Sequence, residues 1–446
     1  MMDRPRGAVL SWVLVGVLAA VSAYFVLRAW RGLPDDVNPN RGDFEHFYFA
    51  ARAVAEGEDI YQSHTRGYIY PPLLATILRP LATLDLRPAQ MVWAVINLLT
   101  LASIVMLTLR ECRRRLGMPG NRLTLVVVTA LAVAIGFEPL RQEIEEGQTD
   151  TLVCLGMVLA MVWVERWPIL AGLALGFAAN IKYQALVVLP YLIIRRRFTA
   201  AISTAVGVVG VALAPSLVLG WDRNLDGLAR SVAGVARLLG IRESGDVVGR
   251  AVATHDIRWE KSVSITSGMA KMLGPDVSDA FAFAGAGAVG LVIVGVLWGV
   301  RVVGTRHLTR ETGRGRMNDL LPHWCGLLLA VLMFSPQTTV RHMMLALPAF
   351  VVAAWLMVRD KDAVRALPLG PRGPVLFGAA VFVLGITLPP GNVPTFKPAL
   401  DAWRTLGGSG WCLAVLAVGL MWSGRTEEHS SGQPDPALRA SGEGVL

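Results

Sequence analysis

The chain has 446 residues, 54% of them apolar and only 17% charged, with a mean hydropathy of +0.50. An average soluble domain is about 25% charged and reaches roughly 45–50% apolar only with glycine counted. This composition therefore excludes a soluble globule and a disordered chain and leaves a polytopic membrane protein. The formal charge of +9 is assigned to basic cytoplasmic loops rather than to nucleic acid. Cys112, Cys154, Cys325 and Cys412 lie far apart without a CxxC pair, so no disulfide framework or zinc motif is expected.

In chain order, residues 8–30 form the first predicted span, preceded by Arg4 and Arg6. The stretch is too long for a signal-peptide core, and the two arginines before it place the N-terminus inside. The loop 31–86 is then extracytoplasmic. Asp43 opens a segment in which Phe44, Phe47, Tyr48, Ala51 and Val54 or Ala55 follow helical spacing, with Glu45, Arg52 and Glu56 on the other faces. This predicts an amphipathic helix on the outer membrane surface. Asp43 itself has two readings, a helix N-cap or a general base at the mouth of a site. Pro71-Pro72 after Tyr70 suits the first position of a helix. Residues 73–84, interrupted by Arg79-Pro80, are too short to cross and read as an interfacial or re-entrant helix.

Further spans are expected at 87–110, 123–138, 150–165, 168–182, 183–194, 199–219, 280–301, 320–335, 343–358, 373–390 and 403–422, twelve in all. The pair within 168–194 is short, as backbone lining a cavity can be. The intervening inner loops carry Arg113 to Arg115, Arg166, Arg195 to Arg197, then Arg306, Arg310, Arg314 and Arg316, then Arg359, Lys361 and Arg365, in line with the positive-inside rule. One membrane domain over 1–424 and a polar, disordered cytoplasmic tail over 425–446 follow.

The outer loops collect the chemistry. Residues 138–150, EPLRQEIEEGQTD, read as a solvated acidic loop, with Gln148 and Asp150 opening the next span and Thr149 or Asp150 available as its cap. Lys182 is the single lysine in the first 260 residues; it either snorkels or offers a cation to a lipid phosphate. The loop 220–279 is the longest, and residues 228–239 have the helical apolar spacing of a partner-docking face or of a lid over the acceptor. In 335–342, Arg341-His342 either starts a helix or contacts phosphate or a sugar hydroxyl. His46, His64 and His255 lack metal-ligand spacing with it, and two carboxylates two residues apart, Asp43 and Glu45, diverge on a helix, so no metal is expected. The loop 389–402 holds Lys397 and Asp401. A transporter would place ionisable groups near mid-membrane; here they gather on one side.

The segments DFEHFYFAARAVAEGEDIY at 43–61, YIYPPL at 68–73, GQTDTL at 147–152, LAGLALGFAANIK at 170–182, and SPQ at 335–337 with Arg341-His342 resemble glycosyltransferase family 87 in order and spacing, from about residue 40 to 345. The resemblance implies an all-α, GT-C-type architecture and an inverting transfer of a hexose, commonly mannose, from a polyprenyl-phosphate donor to a lipid or glycan acceptor on the extracytoplasmic face of a bacterial cell membrane. No further cofactor is implied. Asp43 matches the family's catalytic aspartate. Lys182 and His342, with Arg341, are expected on the donor phosphate, and Glu45, His46, Tyr70, Gln148 and Asp150 around the substrates. Two departures stand out: Asp150 where the family has Asn after Gly-Gln-x, and Tyr183 where it has Pro after Lys. A flippase of lipid-linked intermediates and a non-catalytic assembly subunit are the competing classes.

Overall fold

The computed structural model describes residues 42–63, 68–238, 257–305, 320–359, 372–383 and 397–423, with isolated positions at 16, 20, 23, 24, 27 and 386. Most of the first span, much of the inner loops after 305 and 359, and the 425–446 tail lie outside the described residues, as does the stretch 239–256. Among the described residues every regular element is helical. In chain order these are α1 (Phe44–Glu56), α2 (Pro72–Leu78), α3 (Leu86–Arg115), α4 (Arg122–Ile135), α5 (Phe137–Glu146), α6 (Asp150–Trp163), α7 (Pro168–Ile181), α8 (Val188–Ile194), α9 (Phe198–Leu213) and α10 (Ser216–Leu219). Then follow α11 (Trp221–Leu238), α12 (Ile265–Leu273), α13 (Asp279–Thr305), α14 (Leu320–Phe334), α15 (Leu347–Val358), α16 (Arg372–Phe382), α17 (Lys397–Thr405) and α18 (Gly408–Ser423).

A crossing needs about 20 mostly apolar residues. Among the described residues three helical stretches are long and apolar enough, Leu86–Arg115, Phe198–Leu219 and Arg341–Val358; α4 and α5 together also qualify, but are bent by 72°. The helices α6, α7, α14 and α18 are apolar but shorter. The 168–194 region holds the 14-residue α7, a 3-10 turn over Tyr183–Val187 and the 7-residue α8 rather than two full spans.

The main core runs through α3–α9, α14–α16 and α18, with α15 at its centre: Leu347 to Leu356 are all buried. A helix apolar on every side belongs in such a place. Leu99 and Met106 on α3 and Ile202, Val206 and Val209 on α9 instead face outward, each more than half exposed, as lipid-facing positions at helical spacing do. Helices α7 and α9 meet through glycine: a Cβ on Gly176 would lie 2.5 Å from the Gly207 carbonyl carbon, the close approach that small residues permit between membrane helices.

Two expectations are corrected here. The face of α1 expected to rest on lipid is buried in a second core, where Phe44, Phe47, Tyr48, Tyr61, Tyr68 and Trp93 pack together, and Glu45 is buried with it. The segment 138–150 is not a solvated loop. It forms α5, because Phe137, Leu140 and Ile144 make one apolar stripe, and Glu138 and Glu143 are buried. The break at Arg79-Pro80 is as expected: α2 has Pro72 at its first position and passes into a 3-10 turn over Arg79–Thr83.

Candidate active site

Gly147 makes the turn on which the site is built. It ends α5 in the left-handed region, φ +64, which glycine adopts without strain. A Cβ there would sit 2.7 Å from the Phe44 Cβ, and its carbonyl accepts the Trp93 indole N–H at 2.8 Å. Gly147→Ala is therefore expected to lower stability by about 2 kcal/mol or more, from the φ penalty plus the clash; thermal melting of detergent-solubilised protein by size-exclusion chromatography checks this.

Beyond Gly147 the chain is pinned so that its side chains turn inward. Asn97 Nδ2 donates to the Gln148 carbonyl at 3.1 Å, and Thr151 Oγ1 donates to Asn97 Oδ1 at 2.5 Å. Glu143 Oε1 accepts the Thr151 N–H at 3.0 Å. Thr149 occupies the N-cap position of α6, but its side chain makes no capping bond; the buried Glu143 side chain takes one of the free N–H groups, that of Thr151, instead.

Asp43 sits at the head of α1, where its N–H donates to the Glu146 carbonyl at 2.8 Å. Its side chain makes no capping bond. It accepts instead from Gln148 Nε2 and lies 3.1 Å from Arg341 Nη1. Gln148 Oε1 in turn accepts from Lys182 Nζ at 3.3 Å, and Lys182 pairs with Asp150 at 2.8 Å. Only one orientation of the Gln148 carboxamide puts its donor on a carboxylate and its acceptor on an ammonium, so this chain of contacts has a fixed direction.

Lys182 does not snorkel. It is buried at the C-cap of α7, where its extended backbone, φ −143 and ψ 129, ends the helix and turns the side chain back toward Asp150. Its Nζ lies 5.8 Å from the centre of the Tyr70 ring, within cation–π reach. Burial lifts the Tyr70 hydroxyl above the ordinary phenol range, with Lys182 pulling the other way; it meets a ligand as a neutral donor.

Arg341 and His342 arrive from the other half of the chain. Arg341 pairs with Glu146 as well as Asp43, while its Nε is buried with no hydrogen-bond partner. His342 Nδ1 accepts the Thr339 N–H at 3.0 Å, which puts the ring proton on Nε2, facing Asp150 Oδ2 at 3.9 Å. That gap exceeds a hydrogen bond, and Oδ2 is buried and unpartnered. Exposure falls from the mouth inward, with the side chains of Asp43 at 23% and Arg341 at 20%, Lys182 at 8% and Asp150 at 0%.

Asp43, Tyr70, Gln148, Asp150, Lys182, Arg341 and His342, expected from the sequence, thus converge. Glu45 and His46 lie beside them on α1, the first buried and the second half-buried. Sequence reasoning missed Glu146, the partner of Arg341, and Glu143. It also missed the clasp from the long outer loop: the Val263 N–H donates to the Thr338 carbonyl at 2.7 Å, the Thr338 N–H to Ser262 Oγ at 3.2 Å, and Thr266 Oγ1 to the Phe334 carbonyl at 2.9 Å. These bonds hold the segment 335–340 that delivers Arg341 and His342.

The family profile of glycosyltransferase family 87 matches residues 68–302, more than half of the chain. The chain belongs to glycosyltransferase family 87. The match spans Tyr70, Gln148, Asp150 and Lys182; Asp43, Arg341 and His342 flank it. Similar relatives include a polyprenol-phosphate-mannose-dependent alpha-(1-2)-phosphatidylinositol mannoside mannosyltransferase of Mycobacterium tuberculosis, 26% identical over 428 residues, 91% of this chain and 90% of the relative. A pentamannoside mannosyltransferase of the same dependence from Mycolicibacterium smegmatis is 26% identical over 341 residues, covering 73% of this chain and 72% of the relative. This family 87 member is a membrane glycosyltransferase, so the transferase stands among the three classes left open by the sequence.

Proposed function

We propose that this family 87 protein transfers a mannosyl residue from a polyprenyl-phosphate carrier to a lipid-linked or glycan acceptor, with inversion, at the extracytoplasmic face of a bacterial cell membrane. The activities of the relatives support the donor and the sugar. The single observation carrying the mechanism is that the Asp43 carboxylate is left free of capping duty and tied, through one carboxamide, to a buried lysine.

Asp43 takes the proton from the acceptor hydroxyl as its oxygen attacks the anomeric carbon. The bond from that carbon to the phosphate oxygen breaks, and polyprenyl phosphate leaves as an anion. The leaving group needs cations more than a proton, and Lys182 and Arg341 supply them in a partly dry pocket. Arg341 Nε, buried without a partner, is a donor that a phosphate oxygen satisfies. His342 offers its Nε2–H beside it. Gln148 orients the base, Asp150 holds Lys182, and Tyr70, Glu45 and His46 border the sugar. A GT-C-type arrangement of twelve crossings, with both termini inside, puts the site where a lipid-borne sugar can reach it. No metal or other cofactor enters this transfer.

Membranes containing the protein, incubated with radiolabelled polyprenyl-phosphate mannose and a mannolipid acceptor, are expected to move label into a new product whose linkage has the anomeric configuration opposite to the donor. Label that crosses the bilayer unchanged on its carrier would overturn the reading in favour of a flippase.

A further inference from the structure

At the opposite end of α1 from Asp43, across the Tyr61, Tyr68 and Tyr70 rings, lies a cavity of about 260 Å³ between the end of α1 and the first turns of α11. Its walls carry Glu58, Asp59, Tyr61, Arg223, Asp226 and Arg230. Arg230 organises it, pairing with Asp59 and Asp226 at 2.8 Å each and lying 5.6 Å from the Tyr61 ring centre. The Tyr61 hydroxyl shares its proton between the Gly227 carbonyl at 2.6 Å and the Tyr70 carbonyl at 3.0 Å. The cavity wall is thereby tied to the residue whose ring faces Lys182.

The charges say what can enter. Three carboxylates stand against two guanidinium groups, and the C-terminal end of α1 adds the negative pole of its dipole. A phosphate is disfavoured, and a cation would have to displace Arg230 from both its partners. A neutral polyol is suited: fixed carboxylates and a fixed guanidinium fork present acceptors and donors together, and each sugar hydroxyl uses both. The volume is just below the roughly 300–1,000 Å³ of sites for drug-sized ligands, which suits a single sugar ring.

We propose that this cavity is a subsite for a sugar residue of the acceptor glycan, beyond the residue that receives the new linkage. The proposal rests on the transferase reading above, and makes α11 part of the acceptor site rather than a docking face for another protein.

Asp226 has a side chain 55% exposed, and Arg230 keeps Asp59 when Asp226 changes, so substitutions there spare the fold. With polyprenyl-phosphate mannose as donor, octyl α-mannoside and octyl α-mannotrioside serve as short and long acceptors. Asp226→Trp, which fills the cavity, is expected to raise KM for the trimannoside about tenfold and to leave KM for the monomannoside and for the donor within twofold. In a second measurement, Asp226→Cys is labelled with a maleimide, the four native cysteines being buried; the trimannoside slows labelling and the monomannoside does not. Unchanged KM for the trimannoside without protection, or an equal rise for both acceptors, overturns the subsite while leaving the transferase intact. A wild-type protein that mannosylates neither acceptor overturns the transferase reading and the subsite together.

Discussion

Asp43→Asn is expected to reduce transfer by about 10²-fold or more, the scale of a lost general base, while leaving the protein folded. The amide is isosteric with the carboxylate, and its oxygen still accepts from Gln148 Nε2, so the first link of the hydrogen-bonded chain survives. Arg341 loses one carboxylate but keeps Glu146. Neither partner is driven into burial alone, because the Asp43 side chain is 23% exposed and Arg341 20%. The loss should therefore appear in kcat at an unchanged donor KM, a pattern that marks an interaction made only in the transition state. Near wild-type turnover by purified Asp43→Asn protein would place the base elsewhere.

Lys182→Ala is expected to act twice. Its partner Asp150 has no exposed side-chain surface, and stripping one member from a buried ion pair costs about 3–5 kcal/mol because the remaining charge is left without compensation. The second effect is a rise in donor KM, as the phosphate loses a cation, with acceptor KM little changed. The double variant Lys182→Ala with Asp150→Asn separates the two. Removing the orphaned charge should restore most of the melting temperature, while donor KM stays high. Recovery of donor KM along with stability would show that Lys182 serves only the fold.

The tight pairing of Lys182 with Asp150 bears on catalysis as well. A lysine buried alone would tend to lose its proton, since burial disfavours the charged form. With Asp150 beside it and Gln148 Oε1 at 3.3 Å, the ammonium is held charged and oriented before any ligand enters. This is preorganisation: the site carries its positive charge in place rather than recruiting it during the reaction. Arg341 is held in the same way by Asp43 and Glu146.

The site was legible in the sequence where residue type and spacing carry chemistry. Asp43 ahead of an apolar helical stripe, Gly147-Gln148 before a span, a lone Lys182 at the end of an apolar run and Arg341-His342 each stood out, and all are brought together. The competing readings of Asp43 as a cap and Lys182 as a snorkelling residue were equally consistent with sequence; only the spatial partners decide between them. The acidic character of 138–150 hid α5, although Phe137, Leu140 and Ile144 already mark its buried stripe. The amphipathic pattern of α1 records that one side avoids water, and not which apolar medium it meets, so it fits a lipid surface and a protein core alike. The clasp of Ser262 and Val263 on Thr338 leaves no local signal at all, since it joins groups 76 and 75 residues apart in sequence.

The most direct measurement is an experimental structure of the full-length protein with a non-transferable phosphonate analogue of polyprenyl-phosphate mannose. The account predicts the phosphonate oxygens within hydrogen-bond distance of Lys182 and Arg341, and the Asp43 carboxylate on the opposite face of the anomeric carbon. A phosphonate bound away from both cations, or Asp43 on the same face of the sugar as the leaving group, would contradict it.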